Sequence, residues 1–254
     1  MSDDIFIKKI YDVVRLSEKY HSPKFSKFLD EQEQAIVKNE GIIEGITFGG
    51  YDGAERKIFG VFPDWQEPTE DEFPIAILNF TKKYEKELNH RHYLGTILSL
   101  GIERNKIGDI LPTDSGATVF VLEDIAGFIK ENITKIAGCG VDIDICDRNS
   151  IKIPEKRFEL IDIVAASMRL DACLGAILKI SRKDAKPLAL SGKVLVNHLE
   201  PKSEDVKLNP GDLLSIRGFG RVEVLEIGGK TRSDRVHITV KKYKDPRAHP
   251  GSSG

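Results

Sequence analysis

The chain has 254 residues, 40% hydrophobic and 31% charged, with a formal net charge of −2. That balance excludes a fibrous or wholly disordered chain, and no apolar run is long enough to span a bilayer. The three cysteines, Cys139, Cys146 and Cys173, form no CxxC pair, which argues against a disulfide framework and fits a reducing cytoplasm.

The charge is unevenly spread. From Ile151 onward there are 20 Lys+Arg against 13 Asp+Glu, a net of +7, and the remainder holds 18 against 27, a net of −9. A basic C-terminal part on an acidic body is the pattern of a polyanion-binding module joined to something else. A drift in surface charge is the plain alternative. The start, MSDDIFIKKIYDVV, has acids before its apolar residues and no small-residue cleavage pattern, so it does not read as a signal peptide.

In chain order, residues 5–20 read as a helix, with Ile7, Ile10, Tyr11 and Val14 at helical spacing and Asp3 or Asp4 placed to cap it. DEQEQAIVKN reads as a short second helix. IIEGITF and KIFGVF alternate like strands, and GGYDGAER joins them as a hairpin with a wide loop.

From Phe73 to Cys146 the spacing predicts strand PIAILNF and then a helix over NHRHYLGTILSLG. Asn89 is its N-cap, Leu94, Ile97 and Leu98 are apolar, and Gly101 is its stop. Strands GDILPT and ATVFVL turn at DSG. A helix over EDIAGFIKENITKI is expected to turn Ile125, Phe128, Ile129 and Ile133 inward, and GVDIDI is the last strand. The order βαββαβ is that of a ferredoxin-like, RRM-like sandwich, a fold that hosts many functions.

DRNSIKIPEK, interrupted by Pro154, reads as a linker, and RFELIDIVAA as a strand leading to the last module. The expected α+β organisation is therefore N-terminal helices and hairpin at 1–72, a ferredoxin-like domain at 73–147, and linker and strand at 148–164. A small α/β module at 165–247 and a mobile tail at 248–254 complete it.

In the last module, Leu170, Cys173, Leu174, Ile177 and Leu178 form one apolar helical face. Ser181 caps a second helix, with Asp184 at the capping-box distance. Free N–H groups there, beside Arg182, Lys183 and Lys186, make a phosphate site. GKVLVN is a strand opening with Lys193, and NPGD is a Pro-Gly turn. Read as a strand, SIRGFGR puts Arg217, Phe219 and Arg221 on one face and Gly218 and Gly220 on the other. Arginines there hold phosphates, Phe219 offers a π surface, and the glycines let a backbone approach closely. The plainer reading packs Phe219 into the module's own small core and leaves the arginines solvated.

The run from Arg169 to Arg221, with RLDACL, SRKDA, SGKVLVN and NPGDLLSIRG, resembles the ribosomal-protein-S-four type RNA-binding domain, or alpha-L motif. The resemblance implies that Arg169, Ser181, Arg182, Lys183, Lys186 and Lys193, with Asn197 at the end of its strand, face structured RNA. Pro187, inside the second helix, and His198, where the pattern often has glycine, depart from it. With FLDEQEQ, FGGYDGAER, HRHYLGTILSLGIERNKIGDIL, ITKI and RGFGR, the chain resembles the bacterial YlmH family over nearly its whole length. That resemblance implies a noncatalytic RNA-binding protein of the large ribosomal subunit and tRNA, acting in rescue of stalled translation. Its partners would be rRNA or tRNA, with no small-molecule substrate and no cofactor, and it would be a cytoplasmic monomer. A cell-division interaction protein and an RNA-modifying enzyme (a pseudouridine synthase or rRNA methyltransferase) are the alternatives. The first is implied by the family's gene neighbourhood, the second by the shared RNA-binding domain.

FGGYDGAERK lacks the GxxxxGK[ST] spacing of a nucleotide loop, and the family resemblance makes Tyr51, Arg56 and Lys57, with Arg91 and Arg104, a second RNA contact. His90 and His92 are two apart on a helix and do not face each other, so no metal site is expected there. Arg91 could meet an anion at that helix start, and Arg104 and Lys106 extend a basic surface or complement the helix end. Asp142 and Asp144 share a strand's outward face, where solvation is their role. No nucleophile and base stand at a motif spacing, so no catalytic residue is assigned.

Overall fold

The computed structural model describes residues 3–42, 44–151, 153, 158–232 and 234–243. The tail 248–254, the end of the last module at 244–247 and most of the linker around Pro154 lie outside the described residues. The chain is α+β and divides into two compact units, 1–154 and 155–254.

The first unit opens with α1 (Asp3–Tyr20), β1 (Lys24–Leu29), α2 (Glu31–Asn39), β2 (Gly45–Phe48) and β3 (Lys57–Val61). Asp30 caps α2 in a capping box with Glu33: its carboxylate accepts the Glu33 N–H, and Glu33 accepts the Asp30 N–H. β2 and β3 form the expected antiparallel hairpin. β1, which alternation in KFSKFL alone does not announce, pairs with the far edge of β3 and is broken by a bulge between Phe25 and Phe28. Phe6, Ile10, Leu29, Val37 and Phe59 make a small core under α1 and α2.

The second sheet of this unit contains β4 (Ile75–Lys82), β5 (Ile107–Thr113), β6 (Gly116–Leu122), β7 (Lys135–Ile136) and β8 (Cys139–Cys146). Helices α3 (His90–Leu98) and α4 (Glu123–Asn132) fall between them in sequence. The strand order is β5-β6-β4-β8-β7, with every pair antiparallel. Tyr93 and Ile97 of α3 and Ile125 and Ile129 of α4 pack on Leu78, Phe80, Val119 and Val121 of the sheet. Asn89 caps α3 as expected, accepting from the Arg91 and His92 N–H groups. The expected helix over EDIAGFIKENITKI stops at Asn132, and Lys135–Ile136 instead forms β7. Phe128, expected inward, is 48% exposed. It lies about 100° round the helix from the stripe made by Ile125, Ala126 and Ile129. The N-terminal elements are not separate from this sheet, because Phe28, Phe48 and Ile58 share a core with Phe73, Ile77 and Phe120.

The second unit contains β9 (Phe158–Ala165), α5 (Leu170–Leu178), α6 (Arg182–Ala189), β10 (Val194–Val196), β11 (Leu213–Ile216), β12 (Gly220–Lys230) and β13 (Val236–Tyr243). Its sheet runs β10-β11-β12-β13-β9. Leu170, Cys173, Leu174 and Ile177 of α5 and Ala185 and Ala189 of α6 pack on Val194, Leu214, Val222, Val224 and Val240. β9, grouped with the linker on sequence grounds, is an edge strand of this sheet, paired residue for residue with β13. Pro187 sits inside α6, an eight-residue helix that tolerates the lost hydrogen bond.

Candidate nucleic-acid interface

The side chain that organises the basic residues of the second unit is an acid. Asp171, in the first turn of α5, has 0% of its surface exposed. Its carboxylate accepts from Arg182 Nε at 2.9 Å and from Arg169 Nε at 3.2 Å, and also from the Ala172 N–H at 2.9 Å. Burial alone would raise its pKa. The guanidiniums of Arg182 and Arg169 more than offset this and hold the carboxyl below its ordinary value. Asp171 thus clamps the start of α5 to the start of α6. Both arginines keep part of their surface in water, 50% for the Arg182 side chain and 36% for Arg169.

The other expected contacts sort into committed and free groups. Arg169 also lies 3.9 Å from Asp205, and Lys186 lies 3.9 Å from Glu204. The segment carrying those two acids runs beside the start of α5, through hydrogen bonds from the Leu170 and Asp171 N–H groups. Ser181 caps α6 by accepting the Asp184 N–H, but its own hydroxyl donates to the Asp184 carboxylate, so the reciprocal half of the capping box is replaced. Lys183, Lys193 and Arg217 are exposed, and their charged groups have no acid partner among the described residues. Lys193 and Arg217 are neighbours, because the Arg217 N–H donates to the Lys193 carbonyl at 2.8 Å.

Asn197 is exposed, but its amide is engaged within the unit. It donates to Asp212 at 2.8 Å and accepts the Leu213 N–H at 2.9 Å, tying the end of β10 to the start of β11, and its φ is +50°. His198 follows at φ +69°, the left-handed conformation that favours glycine at this position.

The strand reading of SIRGFGR is corrected. β11 ends at Ile216 and β12 begins at Gly220, so Arg217, Gly218 and Phe219 form a three-residue hairpin turn. Gly218 and Gly220 have φ of +84° and +112°. They turn the chain, and the positive φ is a backbone reason for glycine at both positions. Arg217, Phe219 and Arg221 therefore share no face. Phe219 packs against the core beside Val222 and is covered by the Lys242 ammonium 3.9 Å from its ring centroid. Arg221 stands opposite Ser215 on the other side of the sheet from buried Val222. Lys242 was not legible as part of this cluster, since only strand pairing brings it to the turn.

In the first unit, three members of the expected second contact, Tyr51, Arg56 and Arg104, are bound internally. Asp109, buried on β5, accepts from the Tyr51 hydroxyl at 2.8 Å, the Glu55 N–H at 2.7 Å and the Arg56 N–H at 3.0 Å. The Arg56 guanidinium donates to the carbonyls of Ile107 and Phe28. Burial, then the nearby Asp109 charge, pushes the Tyr51 phenol well above its ordinary range. Gly50, at φ +98°, lies so close to Phe120 that a Cβ would come within 2.5 Å of the ring. The glycine-rich loop is thus a folded plug, sealed onto β5 and β6. Arg104 donates to the carbonyls of Ile107 and Gly108, and burial lowers its pKa to about 10. Lys57 and Arg91 keep their charged groups without acid partners among the described residues. No group of three or more His, Cys, Asp or Glu among the described residues is arranged to hold a metal ion.

A family model described as "Putative RNA-binding domain in YlmH" matches residues 68–150, the stretch that holds β4 to β8. The "Ribosome-associated protein quality control protein P2" of Bacillus subtilis (strain 168) is 32% identical over 245 residues, covering 94% of this chain and 95% of that protein. The solved structure of "Cell division protein ylmH from Streptococcus pneumoniae" aligns with a TM-score of 0.51 at 17% identity, over 60% of this chain and 96% of that one. The last is a likeness of fold. The extent and identity of the Bacillus match, together with the family model, make this chain a member of the YlmH family.

Proposed function

We propose that the protein is a noncatalytic RNA-binding component of ribosome quality control, gripping rRNA or tRNA on the large subunit of stalled ribosomes. The observation that carries this reading is the set of exposed cations without acid partners among the described residues, Lys183, Lys193 and Arg217, on the unit with the positive charge balance. The name of the Bacillus relative supports the ribosome setting. Two helices leading into β10 and the β11–β12 hairpin support the alpha-L reading of this unit, and the order β5-β6-β4-β8 supports a ferredoxin-like reading of 73–147.

The mechanism is positional. Lys183, at the N-terminus of α6, and the Lys193–Arg217 pair hold phosphates as charged donors. The outward part of the Arg182 guanidinium adds a third contact, held in place by Asp171. Phe219 supports the hairpin under Lys242 rather than offering a bare stacking surface. In the first unit Lys57 and Arg91 are the second contact, and Arg91 lies within the stretch 68–150 that the family model matches. The protein acts in the cytoplasm as a monomer.

Sucrose-gradient sedimentation of the tagged protein at low and moderate salt, with crosslinked RNA sequenced, tests this. Comigration with large subunits and crosslinks in rRNA or tRNA at Lys183 or Arg217 is the expected result. A protein left at the top of the gradient, with no enriched RNA, overturns it. The pneumococcal protein of like fold, named for cell division, favours a second reading, a division-associated interaction protein. Partners that persist after nuclease treatment would select that one.

A further inference from the structure

The chain's single tryptophan is the most exposed large apolar side chain among the described residues. Trp65 is 71% exposed and makes no ring contact with any described residue. It does not sit on a loose segment. The Gln66 N–H donates to the Pro63 carbonyl at 2.9 Å, the Gln66 amide donates to Glu72, and Thr69 caps a short turn at Glu70–Glu72. Arg148 fastens that turn through Glu70 and Asp71. Phe62 and Phe73, on either side, are in the core. A rigid loop that buries both its ends and leaves an indole in water keeps apolar surface exposed at a fixed place.

The residues on either side of Trp65 in the chain, Asp64 and Gln66, line an open cleft of about 280 Å³, together with Glu44, Ile46, Phe62, Pro63 and Pro68. Arg148 neutralises Glu70 and Asp71, but the carboxylates of Glu44, Asp64 and Glu67 have no cationic partner among the described residues. Such a surface repels phosphates. It offers no buried donors to orient a small ligand. It suits the aliphatic stem and charged head of arginine or lysine, which lie over an indole face and end on carboxylates.

We infer that this cleft and Trp65 form a docking site for a basic segment of another protein. Its Arg or Lys side chains stack on the indole, and Glu44, Asp64 and Glu67 receive their charge. Aromatic anchors ringed by complementary charge are the usual centres of such interfaces. The site stands on the first unit and is independent of the RNA contacts assigned to the second.

Trp65 is the chain's only tryptophan, so its fluorescence reports this surface alone. The full chain is titrated with a short Arg- and Lys-rich peptide lacking aromatic residues, with the same peptide carrying Glu at every basic position, and with an RNA duplex. Calorimetry with Trp65→Ala supplies the affinity where the fluorophore is gone. The basic peptide should change the emission saturably, and the acidic peptide and the duplex should not. Trp65→Ala should weaken peptide binding about three- to tenfold at unchanged net charge. Asp64→Lys with Glu67→Lys should weaken it further, while Lys183→Ala with Lys193→Ala leaves it untouched. Because Trp65 is exposed, its alanine variant should melt like the parent. Absence of a saturable change, or peptide affinity unaffected by Trp65→Ala, overturns the inference. So does an equal response to the duplex, or self-association that Trp65→Ala abolishes.

Discussion

Arg182 Nε lies 2.9 Å from a carboxylate oxygen of fully buried Asp171, eleven residues earlier in the chain. A basic residue that sequence assigns to RNA is thus first a structural cation. Replacing Asp171 by Ala should destabilise the second unit by about 1–3 kcal/mol, because the Ala172 N–H and two guanidiniums lose their acceptor. The arginines' partial exposure keeps the cost below that of a wholly buried pair. Denaturant unfolding of this variant measures it.

The same carboxylate gives the unit an acid limb. Its pKa is lowered in the folded state, so its contribution is complete above the ordinary carboxylate value of 3.8 and is lost as pH falls through the lowered one. Asp171→Asn should be less stable near neutrality and should lose less stability than the parent below pH 3.8. A parallel pair of stability curves over that window would remove Asp171 from the account.

Lys183, Lys193 and Arg217 should behave differently from Arg182. Each alanine substitution should reduce the salt slope of RNA binding by about 0.7–0.9 and leave the melting temperature unchanged. Arg182→Ala should lower both affinity and stability, since it also unclamps α6 from α5. Binding isotherms at several salt concentrations, paired with melts, separate the two classes. A Lys183→Ala protein with an unaltered slope would exclude that lysine from the contact.

The Tyr51–Asp109 contact predicts a second limb at high pH. Tyr51→Phe should cost about 1 kcal/mol and Asp109→Ala about 3 kcal/mol, the latter leaving the Tyr51 hydroxyl and two backbone N–H groups without their acceptor. The phenol pKa is raised by folding, so its contribution is complete below the ordinary value of 10 and declines as pH rises beyond it. Tyr51→Phe should therefore flatten the alkaline loss of stability. RNA affinity unchanged in Tyr51→Phe would fit a loop-sealing role, and a large drop would return Tyr51 to the interface.

The cysteines report the two units separately. Cys139 is buried in the first unit and Cys173 in the second, where burial and then the Asp171 charge push the thiol up to about 12. Cys146 is half-buried. A thiol reagent at neutral pH should modify Cys146 in the native protein, and Cys139 and Cys173 only as their own units open. Mass spectrometry across a denaturant series should give two protection curves. Rapid native labelling of Cys173 would contradict its place in the core.

The sequence by itself determined the local elements whose signals are local. Asn89 and Ser181 cap their helices, Leu170 to Ile177 bury one face, and β4, β5, β6 and β8 fall where the spacing predicts strands, because caps and periodicity depend on residues a few positions apart. It also carried the family, through motifs spread over the chain. Only the tertiary structure decided which charges are free. Arg182 and Lys183 look alike in SRKDA, yet one is held by Asp171 and the other is not. Tyr51 and Arg56 read as a contact loop until Asp109, more than fifty residues later, is seen to seal it. Phe219 reads as a platform until Lys242 lies on its ring. A side chain's type is written in one residue. Its availability depends on partners brought from distant parts of the chain by strand pairing and packing, which no local spacing encodes.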